Sequence, residues 1–76
     1  MTELLTQIIK QLVDNPEAVT VNEVQSERAV VLEIKVAAED VGKVIGREGR
    51  IINALRQIIK AAAGKTRKRV SLELIS

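Results

Sequence analysis

The chain contains no cysteine, no histidine and no aromatic residue. Without cysteine there is no disulfide framework, and without cysteine and histidine the common zinc sites are excluded. Nucleophilic catalysis needs Cys, or Ser with a base, and Ser26, Ser71 and Ser76 have no histidine to activate them. Lys43 has no signature of the burial that would depress an amine for Schiff-base chemistry. The composition therefore points away from an enzyme, and no cofactor or metal site is expected. No apolar run approaches the ~20 residues of a membrane span, and the Met-Thr-Glu start lacks the basic and apolar regions of a signal peptide. The expectation is a cytoplasmic protein with no membrane partner.

The 76 residues are read as a single domain over 1–76. A chain of this size buries roughly 60–65% of its unfolded surface, so the core is modest. It must come from aliphatic packing, because the 46% hydrophobic content includes no Phe, Trp or Tyr. The net charge of +2 conceals an asymmetry. Residues 1–40 hold three basic against eight acidic side chains, a balance of −5; residues 41–76 hold nine against two, a balance of +7. A basic half suggests an anionic polymer as partner, the alternative being a solvated face with no ligand.

Leu4, Leu5, Ile8, Ile9, Leu12 and Val13 recur at helical spacing, and Asn15-Pro16 ends that helix because the residue before proline is pushed out of the α region. Ala18 to Gln25 and Ala29 to Val36 read as an antiparallel hairpin around Ser26-Glu27-Arg28, with Val30, Leu32, Ile34 and Val36 on one face. The turn has no glycine and its type stays open. Asp40 or Glu39 then caps a short helix that turns Val41, Val44 and Ile45 toward the core. After Gly49, Ile51, Ile52, Leu55, Ile58, Ile59 and Ala62 form a second long stripe that stops at Ala63-Gly64. Lys65-Thr-Arg-Lys-Arg69 is a basic connector that either extends a ligand path or solubilises a turn. Val70, Leu72 and Leu74 alternate in a last strand. The order α-β-β-α-α-β predicts an α+β fold, a three-stranded sheet with helices packed on one face.

The chemistry concentrates in Gly46-Arg47-Glu48-Gly49, between the two helices. Its spacing fails the Walker pattern, since Arg47 rather than Lys-Ser/Thr follows the glycine, and Gly42 and Gly46 are too far apart for a dinucleotide fingerprint. What remains is a Gly-x-x-Gly loop flanked by helices, which matches the backbone clamp of a KH domain. A bare Gly-x-x-Gly is weak; preceded by Val44-Ile45, followed by Arg50-Ile-Ile52 and set in this element order, it becomes specific.

Val41-Gly-Lys-Val-Ile-Gly-Arg-Glu-Gly-Arg-Ile-Ile-Asn-Ala-Leu-Arg56, with Asp14-Asn-Pro-Glu-Ala-Val19 before it, resembles the small bacterial single-KH-domain proteins of the KhpA type over essentially the whole chain. The resemblance implies a type II (prokaryotic) KH fold, single-stranded RNA as ligand, no enzymatic activity, and either a homodimer or a complex with a KhpB-type RNA-binding protein. It implies a role as a post-transcriptional regulator or RNA chaperone. The family's loop residues fall on Gly46, Arg47, Glu48 and Gly49. On this reading Arg47 pairs with a phosphate, Lys43 and Arg50 flank the path, and N–H groups at the start of the Arg50 helix point to phosphate. Bases lie between Val44, Ile45 and Ile52 and the Ile34–Val36 strand, with Asn53 offering an amide to a base edge. Each residue also has a plain alternative: solvent-exposed charge for Arg47 and Arg50, indifferent surface for Asn53, core for Ile45 and Ile52. Glu48 places an acid beside the phosphate track and weakens the attraction. Lack of aromatics removes base stacking, worth ~1–3 kcal/mol per base in other single-strand binders, so one domain binds modestly. The competing expectation is a protein-interaction or dimerisation module using the first helix or a strand edge. A third is duplex DNA binding, since helix-turn-helix proteins also join two helices through a glycine turn.

Overall fold

A computed structural model describes residues 2–64 and 68–75. Its elements run α1 (Thr2–Leu12), β1 (Thr20–Gln25), β2 (Ala29–Lys35), α2 (Val41–Ile45), α3 (Arg50–Ala63) and β3 (Arg69–Ile75), with short 3₁₀ turns at Pro16–Ala18, Ala38–Asp40 and Arg47–Gly49. The α-β-β-α-α-β order and the α+β class are those the periodicities predict.

The sheet order is β1-β2-β3. β1 and β2 pair antiparallel from Thr20↔Lys35 to Gln25↔Val30. Their turn does without glycine because Ser26 closes it. Its N–H donates to the Ala29 carbonyl at 2.8 Å, and its hydroxyl accepts the Ala29 N–H at 3.2 Å. β2 and β3 run parallel, from Ala29↔Arg69 to Lys35↔Ile75. Alternation along a strand identifies its faces but not its direction, so the mixed character of the sheet was not readable from Val70, Leu72 and Leu74. The direction follows from the α2–α3 crossover, the kind of long connection that parallel neighbours require.

β2 is the central strand, and Val30, Leu32 and Ile34 on one of its faces are buried, as expected. Val70 and Leu72 of β3 extend that face. Leu5 and Ile9 of α1, Val44 of α2, and Ile52, Leu55 and Ile59 of α3 complete the same cluster. The apolar stripe of α3 is narrower than its sequence suggests, because Ile58 and Ala62 face outward. Ile45 is also exposed rather than turned to the core. A 100°-wide stripe is all that one sheet face can cover, and the neighbours at its margins are left in solvent. The basic connector lies outside the described residues from Lys65 to Arg67.

The packing predicts a sharp contrast between two aliphatic truncations. Leu32→Ala, at a site with no exposure, loses about 2–5 kcal/mol of unfolding free energy. Val24→Ala, on the edge strand and 51% exposed, changes it by about 0.5 kcal/mol or less. Chemical denaturation of both variants checks the assignment of the core.

Candidate nucleic-acid interface

The loop between α2 and α3 owes its shape to three positions of unusual backbone. α2 stops at Ile45, and the Gly46 N–H closes it onto the Gly42 carbonyl at 2.9 Å. Gly46 itself lies at φ 75°, ψ 173°, a region that essentially only glycine occupies. A Cβ there would sit 2.6 Å from Cγ1 of Ile51 and 2.9 Å from its Cβ, so packing excludes a side chain as firmly as the torsions do. Glu48 (φ 56°) and Gly49 (φ 76°) then both adopt the left-handed region, which costs a non-glycine residue about 1 kcal/mol. At Gly49 the space is open: the nearest atoms to an added Cβ are Asn53 Nδ2 at 3.7 Å and Ile52 Cγ2 at 3.9 Å. Gly46 is thus needed inside the protein, whereas Gly49 keeps bare backbone at an accessible surface.

The N-terminus of α3 carries no side-chain cap. Two of the nearby main-chain donors are nonetheless used within the loop, Gly49 N–H on the Gly46 carbonyl at 3.2 Å and Arg50 N–H on the Arg47 carbonyl. The supply of free donors at the start of α3 is smaller than the sequence reading supposes.

The charged side chains separate into two groups. Arg47 is exposed and, among the described residues, makes no hydrogen bond or ion pair. Arg50 meets Glu48 only loosely, Nη2 to Oε2 at 3.8 Å, with both side chains in solvent. A pair of that kind is worth little and yields readily to a phosphate. Asn53 accepts a hydrogen bond from Arg56 Nη1 through its Oδ1 at 2.8 Å, leaving its amide donors on the loop side.

Lys43 is different. Its ammonium pairs with Asp14 and lies 3.4 Å from Oδ1 of Asp40. The hydrogen bond with Asp14 leads the effects that raise its pKa above the ordinary lysine value. Lys43 is thus held between two acids of its own protein, while its side chain stays partly in solvent. Asp40, expected as a cap for α2, makes no side-chain cap bond there. It is fully buried, and its carboxylate accepts the main-chain N–H groups of Asp14 at 3.2 Å and Asn15 at 3.0 Å. Burial alone pushes its pKa up, but the two main-chain donors and Lys43 outweigh that and hold the carboxyl below the ordinary value.

The walls expected for a base groove beside the loop are largely buried. Val44, Ile34, Val36 and Ile52 are all core. Of the residues named for that groove, Ile45 and Lys35 keep an exposed face. Another concave surface lies between α3 and β3, a cavity of about 230 Å³ over the edges of the core residues Ile59, Val70 and Leu72, with Arg56, Lys60 and Arg69 at its rim. A second hollow of similar size continues it toward Gly64 and Lys68, sharing Lys60, Arg69 and Val70. Gly49, Asn53, Arg56 and Lys60 follow one another at steps of four, three and four, so they form one stripe along α3 from the loop to this groove. That spacing is present in the sequence, and Arg69, already part of the basic run that could extend a ligand path, comes beside Arg56 and Lys60 at the start of β3.

The chain matches the family model described as KhpA/KhpB, KH domain, over residues 2–74. It is similar to the RNA-binding protein KhpA of Caldanaerobacter subterraneus subsp. tengcongensis, with 55% identity over 75 residues that cover 99% of this chain and 100% of the relative. The RNA-binding protein KhpA of Clostridium acetobutylicum is 56% identical with the same coverage. That of Chlamydia pneumoniae is 47% identical, covering 99% of this chain and 96% of its own. No solved structure matches the chain.

The geometry of the two glycines predicts unequal tolerance. Gly46→Ala combines torsional strain with a clash and destabilises by about 2–4 kcal/mol. Gly49→Ala carries the torsional cost alone, about 1–2 kcal/mol. Adding Ile51→Ala to Gly46→Ala recovers part of the loss. A thermal-denaturation double-mutant cycle checks it, a fully additive pair being the contrary result.

Proposed function

The chain belongs to the KhpA/KhpB family of KH domains, and on that premise we propose that it binds single-stranded RNA, with Gly46-Arg47-Glu48-Gly49 clamping the sugar-phosphate backbone. The relatives carry the name RNA-binding protein, and this chain is accordingly a binding protein and not an enzyme. The observation that carries the proposal is the continuity of the open loop with the basic-rimmed groove along one face of α3.

The mechanism follows from the side chains. Gly49 lets the backbone pass close to the main chain, because no Cβ stands in the way. Arg47, with no partner of its own among the described residues, pairs with a phosphate. Arg50 exchanges its loose contact with Glu48 for a second phosphate. Asn53 presents its amide donors beside the loop, and Arg56 and Lys60 continue the track. Bases turn inward over Ile59, Val70 and Leu72, held by van der Waals contact and edge hydrogen bonds in place of aromatic stacking. The groove accommodates splayed single-stranded bases, which is the form in which RNA sequence is commonly read.

Binding of this kind is modest for one domain. A second copy of the chain or a KhpB-type partner raises it through effective concentration. We place the protein in the bacterial cytoplasm as a post-transcriptional regulator or RNA chaperone, and no helix among the described residues is long and apolar enough to cross a membrane.

Replacing Arg47 and Glu48 together by Asp removes the cation at the loop centre and retains the acid. The double variant is expected to lose at least about ten-fold in affinity for single-stranded RNA, about 1.4 kcal/mol, in a fluorescence titration. Competition with single-stranded DNA and duplex accompanies it. Undiminished binding by the double variant, or a preference for duplex, removes the loop from the mechanism.

A further inference from the structure

Among the described residues, Asp40 is the one charged side chain that is wholly buried. A carboxylate in that position is expensive unless every lone pair is engaged. It directly precedes α2, where an acid ordinarily serves the helix it opens, yet it gives α2 no side-chain bond. Its two oxygens are spent on a distant part of the chain. Oδ1 accepts from Asp14 N–H and Oδ2 from Asn15 N–H, 26 and 25 residues earlier, where the main chain leaves α1. One turn into α2, Lys43 reaches back to the same pair, bridging Asp40 and Asp14.

α2 has five residues, too few to hold a position by its own hydrogen bonds. Its apolar anchor is a single fully buried side chain, Val44, with Val41 partly covered beside it. At its far end the Gly42 carbonyl holds the Gly46 N–H, so wherever α2 sits, Gly46 follows. The helix is therefore pinned at three points: Asp40 at the start, Val44 in the middle, and the contact of Gly46 with Ile51 at the end.

We infer that Asp40 is a positioning residue for the RNA clamp, its carboxylate tying α2 to the end of α1 so that Gly46 meets α3 at the spacing the loop requires. The inference rests on the reading of Gly46–Gly49 as the clamp. It extends that reading to a residue that does not touch RNA, and it gives Lys43 a place in the same tie. Without the carboxylate, two main-chain donors lose their acceptor and Lys43 keeps only Asp14. The start of α2 is then free to shift while the sheet and α3 retain their own packing.

The test uses Asp40→Ala and the milder Asp40→Asn, which keeps one acceptor oxygen and loses the charge. Hydrogen exchange in the free protein follows the hydrogen-bonded amides of Gly46, Gly49 and Arg50 against those of Leu32 and Glu73, which point into the β2–β3 ladder. RNA binding is then titrated across salt concentrations with a mixed-sequence single strand of about eight nucleotides, twice the four that a KH groove holds. Loop amides in Asp40→Ala are expected to exchange ten-fold or more faster, beyond any change at Leu32 and Glu73, with Asp40→Asn between Ala and parent. The salt slope is expected to shrink by about 0.7 for each phosphate that the displaced loop no longer neutralises. A merely less stable protein has a smaller active fraction at every salt concentration and an unchanged slope. If Asp40→Ala does not fold, Asp40→Asn carries the comparison. Parent-like loop protection in the folded Asp40 variants overturns the inference, and so does a parent-like slope. Failure of the parent to bind RNA would strike the clamp reading instead, and the exchange data would still decide whether Asp40 holds the loop.

Discussion

The contact between Ile51 and the bare α-carbon of Gly46 sets the geometry on which the interface depends. Ile51 fills the volume that a Cβ on residue 46 would need, so α2 and α3 approach as closely as backbone allows. That approach forces the turn between them into four residues, with positive φ at Gly46, Glu48 and Gly49. Arg47 and Glu48 are lifted to the surface as a consequence, and Gly49 is left as half-buried main chain, open on its Cβ side, beside the first turn of α3. The two glycines share a motif but do different work. One makes helix packing possible, and the other leaves room for a ligand.

The remainder of the fold supplies the platform. The central strand β2 buries Val30, Leu32 and Ile34 under three helices, and its parallel neighbour β3 brings Arg69, Val70 and Leu72 alongside α3. The groove exists because β3 runs parallel. Reversing that strand would place Ile75 where Arg69 now stands and remove a cation from the rim. Within the basic half, α3 carries Arg50, Arg56 and Lys60 with no acid, while most of the negative balance gathers at Asp14, Glu17, Glu39 and Asp40, outside α1 and the hairpin strands. An aliphatic floor with basic edges suits a polyanion whose bases are unpaired, and it binds without the stacking that aromatics would add.

Local patterns carried most of this into view before any coordinates. The apolar spacings of α1 and α3, the alternation of Val30, Leu32 and Ile34, and the glycine spacing of the loop each involve neighbours within a few residues, where periodicity reports geometry. What escaped was set by residues far apart in the chain. Asp40 has the look of a local cap, and nothing near it announces an attachment to Asp14 and Asn15. Lys43 looks like a free cation for the same reason. For the groove expected between Val44, Ile45 and Ile52 and the Ile34–Val36 strand, Ile45 is exposed and Lys35 with it, while the other side chains pack into the core. The hollow between α3 and β3 joins residues distant in the chain, and the direction of β3 brings Arg69 beside Arg56 and Lys60.

Mapping amide chemical shifts during titration with single-stranded RNA tests the central claim most directly, since it locates the ligand without altering the protein. The account predicts a contiguous response at Gly46–Gly49, at Asn53, Arg56 and Lys60 along α3, and at Arg69–Leu72 across the groove, with α1 and β1 unmoved. Shifts centred on α1 or on the outer edge of β1, with the loop and groove silent, would contradict it.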